Sequence, residues 1–102
     1  MNVTLKMALD SNMFAGNDVI VYFFNSDTYE WEKKFSMFLG NDPIDNSKIQ
    51  TRRSASCKNR FLDCLEMFFP VKSDFSRVMK SRVTVHALDN ALQLFIDIPE
   101  NF

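Results

Sequence analysis

Glycine is nearly missing from this chain. Gly16 and Gly40 are the two among 102 residues. A phosphate-cradling loop needs several together, because backbone amides must approach the anion with no Cβ in the way. That class of site is excluded, and none of G-x-x-x-x-G-K-[ST], G-x-G-x-x-G or G-x-S-x-G occurs. Histidine is scarcer: His86 is alone, so H-E-x-x-H is excluded too. A lone histidine without an assignable nucleophile, acid or oxyanion site makes no enzyme. Its outward phase near Thr84 points to an exposed or structural role. Cysteine appears twice, as Cys57 and Cys64. On one helix, seven residues separate their Cα atoms by about 10.5 Å, against roughly 4.4 to 6.8 Å for a disulfide. They are expected to be free, buried core residues in a reducing compartment. With His86 they offer one ligand fewer than a structural zinc site uses, at no recognised spacing. No metal or other cofactor is expected.

Long apolar runs are absent as well. The longest, residues 19–24, has six residues, against roughly 20 for a membrane helix. The N-terminal stretch MNVTLKMALD meets charge at Lys6 and Asp10 and has no apolar signal-peptide core. Its sequon, Asn2-Val3-Thr4, is therefore expected to be idle. The expected setting is cytoplasmic, in a cell or a virus-infected one, with no membrane partner.

What is present builds a core. Hydrophobic residues make up 46% of the chain, with eleven Phe and six Met. That suffices for a single domain over 1–102 and argues against disorder. The stretch 54–69, SASCKNRFLDCLEMFF, is the clearest helix. Cys57, Phe61, Cys64, Leu65 and Phe68 fall at i, i+4, i+7, i+8 and i+11, one helical face. Leu62 and Phe69 widen it. Lys58, Asn59, Asp63 and Glu66 take the wet side, Ser54 can cap the start, and Pro70 ends the helix. A short second helix is expected over 73–80, with Phe75, Val78 and Met79 on one side and Ser73 as its cap.

Strands are read around these helices. Residues 2–10 alternate, with Val3, Leu5, Met7 and Leu9 on one side, as in a half-buried strand. The run at 19–24, VIVYFF, predicts a central strand covered on both faces. Residues 28–39 alternate again, with Tyr29, Trp31, Phe35, Met37 and Leu39 inward and Lys33 breaking the row. The 14-residue stretch 40–53 is polar and reads as a long loop. Strands over 82–88 and 91–98 join through Asp89-Asn90, residues that tolerate positive φ. The predicted fold is α+β: an antiparallel sheet of about five strands, in order β-β-β-α-β-β, packed on the helix at 54–69. This order is similar to that of the OB-fold, which implies a small barrel as the alternative.

Charge is segregated. Residues 1–46 carry three basic and seven acidic groups, net −4. Residues 47–82 carry nine and three, net +6, and residues 83–102 carry three acids alone, net −3. Arg52, Arg53, Lys58 and Arg60 cluster at the positive end of the predicted helix, with Lys48 just before them. A helix N-terminus with several arginines suits an anion: a phosphate, a nucleic-acid backbone or an acidic protein surface. The plainer reading is a solvated basic loop, since exposed charge effects are small. Phe95 and Phe38 fall on outward strand phases, Phe14 in a loop and Phe102 beside the C-terminal end. Exposed aromatics beside a basic strip suit stacking on bases; cover by a helix or a second copy is the alternative.

Two short matches complete the pattern. Leu62-Asp63-Cys64-Leu65-Glu66 resembles the L-x-C-x-E motif by which some viral proteins bind the retinoblastoma pocket, a motif read extended. Arg53-Ser54-Ala55-Ser56 resembles a basophilic kinase site, where phosphate would sit at a helix N-terminus. The expected function is a non-catalytic protein-binding module, a regulator, inhibitor or immunity-type protein acting through the basic segment 48–82 and the sheet surface with Phe95, with an acidic-surfaced partner and a homodimeric state. A nucleic-acid-binding module contacting phosphates through Lys48, Arg52, Arg53, Lys58 and Arg60 is the alternative, although a net charge of −1 lacks the usual basic footprint.

Overall fold

The computed structural model describes residues 3–40 and 60–98. Seven elements follow one another: α1 (Leu5–Asp10), β1 (Asn17–Asn25), β2 (Glu30–Leu39), α2 (Arg60–Phe68), α3 (Lys72–Met79), β3 (Arg82–Ala87) and β4 (Ala91–Asp97). The four strands form one mixed sheet in the order β2-β1-β4-β3. The outer pairs are antiparallel hairpins, and the central β1–β4 pair is parallel. The class is α+β, but the sheet has four strands rather than five and is not purely antiparallel. It is open among the described residues, with β2 and β3 each paired to one strand, so it is not a small barrel. The crossover between β2 and β3 carries α2 and α3 and links opposite edges. That route, invisible in a linear order of elements, makes the central pair parallel.

The predicted N-terminal strand is a helix. Leu5, Ala8 and Leu9 are buried, and their i, i+3, i+4 spacing fits one helical face. Leu5 and Leu9 belong to both this pattern and an alternating one, which is why period two misled. Thr4 settles the conformation: its hydroxyl accepts from the Met7 amide at 3.2 Å and caps the first turn. Before it, Val3 accepts from the Val83 amide and Thr4 bridges to Arg82, so the chain lines part of the β3 edge before turning into α1.

The core lies between the helices and one sheet face. Val19, Val21 and Phe23 of β1 and Leu94 and Ile96 of β4 are buried there, against Phe61, Leu62, Leu65 and Phe69 from α2 and just beyond it, and Phe75, Val78 and Met79 of α3. Phe35 and Met37 of β2 and Val83 and Val85 of β3 pack at its margins. Phe14, read as a loop aromatic open to solvent, is also buried. On α2 the buried face is turned from the expected stripe. Leu62 and Phe69 point inward, Cys64 is half-buried, and Phe68 is 41% exposed. Phe68 stacks on Phe35 and meets Phe23 edge-on, roofing the β2 side of the core. Cys64 is a free thiol, but not the fully buried one expected. Cys57, Ser54 and the predicted loop at 40–53 lie outside the described residues, apart from Gly40. The second helix begins at Lys72 with Val71 as its N-cap and no side-chain capping bond, in place of Ser73.

A bulge re-phases β2. Val21 faces Phe35 and Tyr22 faces Lys33, so Lys34 has no partner position in β1. Up to Phe35 the inward row is as predicted from the C-terminal side. Beyond the bulge, Trp31 falls opposite Phe24 and on the other face. Trp31 and Tyr29, expected inward, therefore leave the core. Tyr29 has φ 57° in the turn and is 81% exposed.

Candidate functional site: the open face of the sheet

Residues in the second phase of each strand form a face that no described helix covers. From the registers, one row runs Trp31–Phe24–Asp97–Arg82 across β2, β1, β4 and β3. The next runs Lys33–Tyr22–Phe95–Thr84, and a third Ser36–Ile20–Gln93–His86. The predicted both-sided cover of β1 is thus corrected: Val19, Val21 and Phe23 are buried, while Ile20, Tyr22 and Phe24 are half-buried on the open side. An unbroken apolar run can mean one buried face and one half-buried face, and here it does.

The rings on this face lock together. Tyr22 and Phe95, register partners on the parallel pair, stack with centroids 4.6 Å apart and planes 15° apart. Trp31 reaches across β1 to meet Phe95 edge-on at 5.2 Å, and Phe24 meets Trp31 at 5.3 Å. Tyr29 extends the cluster from the turn at 6.2 Å from Phe24, and His86 closes it at 5.2 Å from Phe95. Gln93 Nε2 donates to Tyr22 Oη at 3.1 Å, fixing that ring's tip. Packed this way, Tyr22 and Phe95 each have one ring face on the other, and Trp31 makes edge contacts with both Phe95 and Phe24. Beside them Trp31, Phe95, Arg82, Thr84, Asp97 and Val3 line a recess of about 360 Å³. The charges in these rows and the next are Asp18, Asp97, Lys33 and Arg82, two of each sign, so the face is neutral.

The sheet edges differ from the face. At the β2 edge stand Glu30, Glu32, Lys33 and Lys34 with the bulge, a combination that blocks strand addition. The β3 edge is partly occupied by Val3 and Thr4.

Of the residues singled out from sequence, Phe95 lies at the centre of this face. Phe38 is on the same side near one end and is 59% exposed. Arg60 is the first residue of α2. Lys48, Arg52, Arg53, Lys58, the serine cluster at 54–56 and Phe102 lie outside the described residues. Leu62 and Leu65 of the L-x-C-x-E match are buried in α2, so that stretch is not presented extended. Tyr22, Phe24 and Trp31 were missed as surface residues. The Lys33-Lys34 doublet interrupting an aromatic row was the signal of a bulge, and the i, i+2, i+4 spacing of Ile20, Tyr22 and Phe24 the signal of a second face.

Among the described residues no helix is long and apolar enough to cross a membrane, and no group of three or more His, Cys, Asp or Glu is placed to hold a metal. Comparison with protein-family models, curated proteins and solved structures returns no match.

Proposed function

We propose that the protein is a non-catalytic protein-binding module of regulatory or inhibitory kind, and that its docking surface is the open sheet face. The observation that carries this reading is the interlocked aromatic cluster of Tyr22, Phe24, Trp31 and Phe95 on a face that no described helix covers. Tyr and Trp are enriched where interfaces concentrate their energy, and charge is depleted there. Rings held by one another need little further ordering on binding, which lowers its entropic cost. Base stacking needs exposed ring faces and a positive groove. Here the Tyr22 and Phe95 faces are turned on each other and the charges cancel, which favours protein over nucleic acid. The expected partner presents a flat apolar patch with an acidic margin, suited to the basic segment 47–82, net +6.

The test is site-specific photo-crosslinking in the native cell, with the reactive group at position 38 on the open face and, as control, at the exposed position 67 on α2. A discrete protein adduct from position 38, absent from 67 and lost in Phe95→Lys, is expected. Circular dichroism would establish that the variant is folded. Equal adducts from both positions would overturn the reading. So would a labelled single-stranded oligonucleotide whose binding at low salt is lost in Phe95→Lys. An adduct with the chain's own mass would make the partner a second copy.

A further inference from the structure

No further inference is drawn: the strongest candidate, the recess of about 360 Å³ beside Trp31 and Phe95 at whose rim the register partners Arg82 and Asp97 stand, belongs to the open sheet face already proposed as the docking surface, and nothing in the structure shows what covers it.

Discussion

Phe61 shows what a single side chain contributes to this fold. It is fully buried on α2, with its ring 5.8 Å from Phe35 at the β2 margin. Phe61→Ala should cost about 3–5 kcal/mol of stability, measured by urea denaturation, because the emptied volume cannot collapse between a helix and a sheet. A loss under about 1 kcal/mol would mean that this face of α2 is not the buried one. Glu32 is the charged counterpart. The Asn25 side-chain amide and the Lys34 ammonium beside it hold its carboxyl below the usual glutamate range. A depressed carboxylate stabilises the fold at pH above its unfolded value, and that contribution fades as pH falls through the lower folded value. The contribution is small because Glu32 is open to solvent. Asn25→Ala and Lys34→Ala should each raise the Glu32 pKa in a carboxyl-detected NMR titration. A value unmoved by either would refute this account of the turn.

At the scale of elements, two local devices decide the architecture. The first is the Thr4 cap, which turns six residues with an ambiguous pattern into α1. Thr4→Ala should destabilise the protein by about 1 kcal/mol, the usual cost of a lost N-cap, as read from a shift in the denaturation midpoint. The second is the bulge at Lys34. Deleting Lys34 would move residues 30–33 by one position and swing Trp31 off Phe95 toward the crowded inner face. The expected result is a loss of at least about 1 kcal/mol and a changed Trp31 emission spectrum. Unchanged emission would show that Trp31 does not owe its place to the bulge. The sequence showed most strands and both later helices, since Phe75, Val78 and Met79 or Leu94 and Ile96 have one period each. It did not show α1 or the phase of Trp31, because both depend on one residue's hydrogen bond or insertion rather than on repetition.

For the whole molecule, the chain's association should follow from how its sheet is finished. The homodimer expected from the sequence had two routes, a sheet edge or outward Phe95. The charges and bulge of β2 and the strap of Val3 and Thr4 on β3 oppose the first. Self-association, if it occurs, should therefore run through the open face. In sedimentation at tens of micromolar, any species heavier than the 11.9 kDa chain should disappear in Phe95→Lys. Replacing Glu30 and Lys33 by Thr should instead add edge-to-edge aggregation. A dimer that survives Phe95→Lys but is altered by the β2 substitutions would reverse this assignment.

Taken alone, the sequence determined that this is an α+β chain rich in aromatic core, with β1 at the centre of its sheet, a helical middle and a hairpin near the end. Those properties are local, and periodicity reports them directly. Tertiary structure decided which strands became neighbours, that β1 and β4 run parallel, and that Tyr22, Phe24, Trp31 and Phe95 meet on one face, which no described helix covers. Residues 22 and 95 are 73 positions apart, and nothing in either neighbourhood encodes their register. The crossover through α2 and α3 sets it, by bringing the second hairpin back beside the first with its apolar side on the same helices.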